Sequence, residues 1–268
     1  MKSKTIHAFL PPLVYDWLYR SPLKKYGWFG NYPSWEVALK DCNGYDTDEI
    51  ISRVTAATLK VKIGEAVYER DSVLFDRIDY DWQLLAGLMW VTAQHAGTLN
   101  VLDFGGSLGS TYFQNRKFLS ALKDVKWNIV EQAKFVKRGQ EQMADDRLKF
   151  YGTIEECLLV TKPQVLLLSS VLSYIQEPYT LLDQFIQAQI PFLIIDRLPL
   201  INQSNDRLTV QRVSPHIYPA SYPAWFFSQT KFMHFIEKHF EIVEEYNTGL
   251  AFNIKSEVKG LILRLKTR

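Results

Sequence analysis

The stretch Val101-Leu102-Asp103-Phe104-Gly105-Gly106-Ser107-Leu108-Gly109-Ser110 passes from apolar residues of strand character into a glycine-rich turn and then into residues that favour a helix. Glycines suit such a turn because a ligand can approach the bare backbone and because the chain can take conformations that a Cβ forbids. The helix that follows offers free N–H groups and the positive end of its dipole. A dinucleotide fingerprint G-x-G-x-x-G aligned on Gly105 asks for glycine where Ser107 and Ser110 stand, so that version fails. The pattern that fits is an acid ahead of the first glycine and another glycine beyond it: Asp103, Gly105 and Gly109, with Gly106 adding freedom and Ser107 in the middle place. A tight strand-to-helix turn with no ligand is the plain alternative.

Two further groups have types suited to chemistry. Glu131, followed by Gln132, ends the next apolar run, Trp127 to Val130. A carboxylate there can accept both hydroxyls of a ribose, which a neutral side chain cannot do as well; capping the following helix is its ordinary alternative. His216 has the side chain best suited to remove a proton near neutrality, with an unperturbed pKa of about 6.5. Asp196 directly follows the run Phe192 to Ile195, and Tyr218 lies close to His216. Asp196 could equally pair with Arg197 or Arg207, and His216 could be a surface residue. Tyr218, Tyr222, Trp225, Trp28 and Trp35 together could wall a ring-shaped ligand or simply pack a core.

These residues need strands that end at one edge of a sheet. From about Leu99 the chain alternates short apolar runs with segments of helical length, the pattern of a parallel sheet covered on both faces. Strands are expected at Asn100–Phe104, Trp127–Val130, Leu148–Tyr151, Gln164–Leu168 and Phe192–Ile195, with a terminal pair at Glu241–Tyr246 and Gly260–Leu265. Helices are expected at Ser110–Leu122, Gln132–Met143, Ile154–Leu159, Tyr179–Gln187 and Gln229–His239. A Pro- and Tyr-rich insertion around residues 200–227 reads as an extended or hairpin excursion over Arg207–Val213 and His216–Tyr218. The fold class is therefore α/β, a Rossmann-like sheet of seven mostly parallel strands with helices on both faces. Residues 1–96 differ, with aromatic clusters (Tyr15, Trp17, Tyr19, Tyr26, Trp28) and helical stretches at Asp48–Leu59 and Trp82–His95. They read as a helical cap folded onto a second unit, residues 97–268, because no Gly/Ser/Pro linker separates the two.

Composition narrows the function classes. The 268 residues carry 31 Lys and Arg against 29 Asp and Glu, a net charge of +2, which gives no field to hold a nucleic acid. Two cysteines argue against a disulfide scaffold and cannot form a metal cluster alone. His234 and His239 do not share one helix face, so no metal is expected. Pro11 and Pro12 interrupt the N-terminal apolar run, no stretch approaches the roughly 20 residues needed to span a bilayer, and a cytoplasmic location is expected.

The turn Asp103-Phe104-Gly105-Gly106-Ser107-Leu108-Gly109 resembles motif I of the class I S-adenosylmethionine-dependent methyltransferases, E/D-x-G-x-G-x-G, with serine in place of the middle glycine. The run Leu167-Leu168-Ser169-Ser170-Val171-Leu172-Ser173-Tyr174, followed by Glu177-Pro178, is similar to the end of the fourth strand in many small-molecule members. The resemblance implies that S-adenosylmethionine is the cofactor and S-adenosylhomocysteine the product. It implies that Asp103, Gly105, Gly106, Ser107 and Gly109 surround the methionine part, that Ser169 and Ser170 lie under it, and that Gly152 and Thr153 meet the adenine. Within that superfamily the chain is most similar to an uncharacterised bacterial group sharing Tyr26-Gly27-Trp28-Phe29-Gly30-Asn31-Tyr32-Pro33 and Ile217-Tyr218-Pro219-Ala220-Ser221-Tyr222-Pro223. Such proteins are placed with surface-glycan or secondary-product pathways, which implies a small-molecule acceptor such as a sugar. A nicotinamide-dependent oxidoreductase or epimerase is the alternative enzyme class, and a non-catalytic Rossmann-like binding protein the alternative outside enzymes.

Overall fold

The computed structural model describes residues 25–44, 48–215 and 217–266. His216 lies outside the described residues, as do Tyr15, Trp17 and Tyr19 of the aromatic clusters. In chain order the elements are β1 (Gly27–Phe29), α1 (Trp35–Leu39), α2 (Asp48–Lys62), β2 (Tyr68–Arg70), β3 (Val73–Phe75), α3 (Trp82–Gln94), β4 (Thr98–Phe104), α4 (Ser110–Leu119), β5 (Asp124–Val130) and α5 (Ala133–Arg138). A π-turn at Gly139–Met143 follows, then β6 (Leu148–Tyr151), α6 (Ile154–Val160), β7 (Val165–Ser169), a short 3₁₀ turn (Leu172–Tyr174) and α7 (Pro178–Gln187). The chain continues with β8 (Phe192–Ile201), β9 (Arg207–Arg212), β10 (Ser221–Ser228), α8 (Gln229–His239), β11 (Phe240–Asn247) and β12 (Glu257–Leu265).

The central sheet runs β6-β5-β4-β7-β8 in parallel, and β8 then pairs antiparallel with β12, which pairs with β11. These are the seven strands expected. Their apolar runs are continuous because both faces are covered: β7 reads VLLLS with its first four residues buried. One core holds α2, α3, α4 and α5 against one face, and a second holds α6, α7 and α8 against the other. The division expected at residues 96 and 97 falls between α3 and β4, and both elements contribute to the same core. The N-terminal segment also contains strands: β1 pairs with β9, and β2 with β3 form a hairpin.

Three strands extend the sheet beyond seven. β8 outruns β7, and Leu200 and Ile201 at its end pair with β10, which carries β9 and β1 outward. The excursion is thus a hairpin of Arg207–Arg212 with Ser221–Ser228, and Tyr218 precedes its second strand instead of belonging to one. Pro223 hides β10 from a sequence reading, yet it fits because β8 reaches only Phe227 and Ser228, leaving that edge of Pro223 without a strand to serve. The helix expected over 132–143 stops being α-helical at Gly139, where a Cβ would overlap the Phe150 ring.

Among the described residues no helix is long and apolar enough to cross a membrane, and no cluster of His, Cys, Asp and Glu is arranged to hold a metal ion.

Candidate functional site

Chain order along the sheet reverses between β4 and β7: from β4 the strands proceed through β5 to β6 on one side, and from β7 to β8 on the other. Ligands of open α/β sheets bind at the carboxyl ends of strands beside such a reversal. A cavity of about 700 Å³ opens there.

The glycine turn forms its floor. Gly105 has φ +71, and its Cβ would overlap the Val171 side chain; its N–H donates to the Val130 carbonyl at 2.9 Å. Gly106 lies over the Asp103 carboxylate so closely that a Cβ would collide with it. Asp103 itself is 1% exposed, with Trp127 Nε1 donating to its Oδ2 at 2.9 Å. Burial pushes its pKa up to about 7; the Trp127 hydrogen bond opposes the shift and the Glu131 charge adds to it. Ser107 takes a left-handed conformation, φ 53, as the glycine expected in that place would do freely.

All the proposed cofactor residues line this cavity except Gly109 and Thr153: Asp103, Gly105, Gly106, Ser107, Glu131, Gln132, Gly152, Ser169 and Ser170 do so. Gly109 is the left-handed N-cap of α4, φ 98, packed beneath the turn near Leu148 and Phe113. Thr153 caps α6, its hydroxyl accepting from the Glu156 N–H at 3.1 Å. Glu131 sits at the tip of β5, one carboxylate oxygen accepting the Gln132 N–H at 2.6 Å. Gly152 already donates to Glu156 Oε2 at 2.8 Å.

Asp196 stands elsewhere. It does not line the cavity, is 1% exposed, and accepts from Ser169 Oγ at 3.0 Å and Tyr246 Oη at 3.2 Å, with Arg197 Nε 3.3 Å away. Its pKa is raised by burial, against the pull of the Arg197 guanidinium. This carboxylate is enclosed by Ser169, Tyr246 and Arg197. Between Lys259 and Leu261 the β8–β12 register slips, so that Asp196 and Arg197 face Gly260, a bulge that turns Arg197 left-handed, φ 60, and places it on the cavity wall. Arg197 also lies 3.7 Å from Asp81.

Tyr218 does line the cavity and is buried, and the half-buried Tyr222 and Trp28 line it as well. Trp35 and Trp225 do not: they stack on each other, ring centres 6.2 Å apart, in a small separate core with Leu208 and Val210. Tyr174 Oη donates to Gln211 Oε1 at 2.7 Å and its ring meets Tyr222 edge-on at 5.1 Å. Burial raises the pKa of both tyrosines, so each stays a neutral hydroxyl. Trp28 lies against Phe252, ring centres 4.1 Å apart, and the Asn253 side chain accepts from the Trp28 N–H and donates to its carbonyl, at 2.8 and 2.7 Å.

Sequence reasoning missed the β2–β3 hairpin, which adds Tyr68, Glu69, Arg70 and Asp71 to the wall. Its two-residue turn, Asp71-Ser72, is left-handed at both positions, φ 50 and 67. The usual signal for that turn is Asn-Gly or Asp-Gly; here only the aspartate gives a hint.

Neither a family model nor a curated protein matches the chain. Among solved structures it is similar to the N-terminal domain of EvdMO1, determined in the presence of SAH and D-fucose, at 13% identity and a TM-score of 0.47 over 83% of this chain and 98% of that one. It is similar to the N-methyltransferase NodS from Bradyrhizobium japonicum in complex with SAH, at 11% identity and a TM-score of 0.45 over 78% and 99% of the two chains. It is also similar to human N-acetylserotonin methyltransferase in complex with SAM, at 12% identity and a TM-score of 0.47 over 84% and 61%. Identities of this order say nothing about which reaction the chain performs.

Proposed function

We propose that the chain is an S-adenosylmethionine-dependent methyltransferase that methylates a small molecule, an oxygen of a sugar or glycan-pathway metabolite in the cytoplasm. The observation that carries this reading is the Gly105–Gly106–Ser107 turn forming the floor of a cavity at the strand-order reversal, with Glu131 at the tip of the adjacent strand. The residues fit the cofactor: Gly105 and Gly106 leave a bare backbone where any side chain would collide with Val171 or Asp103. Glu131 would hold the ribose hydroxyls. The turn would cradle the amino-acid arm, and Gln132 and Gly152 would border the adenine.

When bound, S-adenosylmethionine supplies an electrophilic methyl group. The chain's own contribution is to orient an acceptor oxygen in line with it and to keep water out. Tyr174 and Tyr222, held neutral, donate or accept hydrogen bonds at the far wall, where Trp28 and Phe252 offer flat apolar faces. In this reading Tyr218 borders the acceptor, Asp196 positions Arg197 and Ser169, and His216 remains the proposed base. Residues 1–96 act as the cap, supplying Trp28 and Asp71 of the β2–β3 hairpin to the acceptor end and Glu69 of the same hairpin to the wall beside the glycine turn.

Isothermal titration with S-adenosylmethionine, S-adenosylhomocysteine and NAD tests the proposal. Micromolar binding of the two sulfur ligands, about 8 kcal/mol, with none of NAD, is the expected result. Binding of NAD alone, or of no ligand, overturns it.

A further inference from the structure

Glu69 is the most unusual charged group on the cavity wall. It lies in β2, is 1% exposed, and its Oε1 is held from two directions, by the hydroxyl of Ser110 at the start of α4 and by Thr58 Oγ1 of α2 at 3.3 Å. Its Oε2 is buried with no hydrogen-bond partner among the described residues. Burial raises the pKa of the Glu69 carboxyl, against the hydrogen bonds of Ser110, the Ser72 backbone amide and Thr58, and no donor reaches Oε2 in full bonding geometry. An unsatisfied buried carboxylate oxygen is costly, and a ligand that brings a donor to it recovers that cost on binding.

The charge around it favours a cation. Glu131, Glu69 and Asp71 line the cavity against two guanidinium groups, Arg70 and Arg197, and Asp103, which holds its proton up to about pH 7, adds little to the count. Arg197 is already shared between Asp196 and Asp81. Position selects which part of a ligand Glu69 meets. Ser110 immediately follows the glycine turn, so Glu69 sits at the α4 side of that turn, whereas Glu131 and Gly152 border the cavity from β5 and β6.

On the cofactor reading given above, we propose that Glu69 is the anchor for the α-ammonium of the cofactor's amino-acid arm, Oε2 accepting the N–H that the protein does not supply. The hairpin then does more than roof the cavity. It makes recognition of the amino-acid arm depend on the N-terminal segment, while recognition of the nucleoside depends on β5 and β6.

The test is isothermal titration of two ligands: S-adenosylhomocysteine, and 5′-methylthioadenosine, which has the same thioether nucleoside without the amino-acid arm. In the Glu69→Gln variant, S-adenosylhomocysteine should lose about tenfold or more in affinity, while 5′-methylthioadenosine binds as it does to the unaltered protein. Equal losses for both ligands, or no loss, overturn the assignment. Should the variant fail to fold, the unaltered protein decides with the desamino analogue of S-adenosylhomocysteine. That analogue should bind about tenfold or more weaker than S-adenosylhomocysteine, and binding within a few-fold of S-adenosylhomocysteine overturns the proposal. If the unaltered protein binds neither S-adenosylhomocysteine nor 5′-methylthioadenosine, the cofactor reading falls and this one falls with it. Binding of both with no dependence on Glu69 or on the amine removes this one alone.

Discussion

The two ends of the cavity are made from different kinds of chain. The turn end comes largely from single loops at the tips of neighbouring parallel strands: the Gly105–Gly109 turn after β4, Glu131 after β5, Ser169 and Ser170 at the end of β7. The far end is assembled from segments distant in sequence: Trp28, Asp71 at the tip of the β2–β3 hairpin, Gln211 of β9, Tyr222 of β10 and Phe252 before β12, while Glu69 of that hairpin reaches back to the turn. Local backbone conformation fixes the first end, and tertiary packing fixes the second. Damage should therefore differ in kind, with changes at the turn abolishing binding outright and changes at the far wall loosening packing first.

The largest effect that would sharpen this contrast is at Gly105. Gly105→Val combines a left-handed φ with a collision against Val171, and S-adenosylhomocysteine binding should become undetectable by titration. Gly152→Ala lines the same cavity, but its Cβ would meet only the flexible Glu156 carboxylate, at 3.2 Å. It should bind nearly normally, and equal loss in both variants would break the claim that backbone conformation rules the turn end.

Next is pH. Asp103 holds its proton in the folded state up to about pH 7, whereas an unfolded chain releases it near the ordinary carboxylate value of 3.8. The folded state binds more protons between those values, so this group's stabilisation is complete below about pH 4 and is lost as pH rises to 7. The full span is worth up to about 4 kcal/mol. Asp103→Asn should flatten the fall in melting temperature between pH 4 and pH 7; an unchanged slope would show that the turn end does not store this charge.

A smaller effect is expected at Gly260, where a Cβ would overlap the Tyr246 ring. Gly260→Ala should cost about 1–3 kcal/mol by overpacking, read as a lowered denaturant midpoint. Smallest of all, Tyr174→Phe removes the hydrogen bond to Gln211 at the far wall. It should lower stability by about 1 kcal/mol with S-adenosylhomocysteine affinity intact. A loss of affinity there would erase the distinction between the two ends.

That distinction also explains what the sequence disclosed. Parallel strands buried on both faces write themselves as apolar runs, so β4 to β8 were legible, and helix α8 was legible to the residue, Gln229–His239. The glycine turn was legible because its backbone demands are local. β10 was hidden by Pro223, and β1 and the β2–β3 hairpin are three-residue strands with no room for a pattern. Of the two readings of Asp196, a base or a partner of Arg197 or Arg207, the pairing with Arg197 is the one present, and no sequence signal points to the Tyr246 hydroxyl that reaches it from fifty positions away. Of the aromatic residues read as either wall or core, Trp35 and Trp225 pack as core, because aromatic content does not reveal which rings face each other.

The clasp between Trp28 and Asn253 bears on how the protein is made. Both polar atoms of the Trp28 backbone are satisfied by one side chain that lies 225 positions later. During synthesis Trp28 leaves the ribosome long before Asn253 exists, and β12, the middle partner between β8 and β11, follows later still. The glycine turn and β4 to β6 can pair early, but the far wall of the cavity cannot close until nearly the whole chain has emerged. Closing so long a loop carries a large entropy cost and slows folding. The far wall therefore depends on contacts between segments that are made far apart in time, and the glycine turn does not.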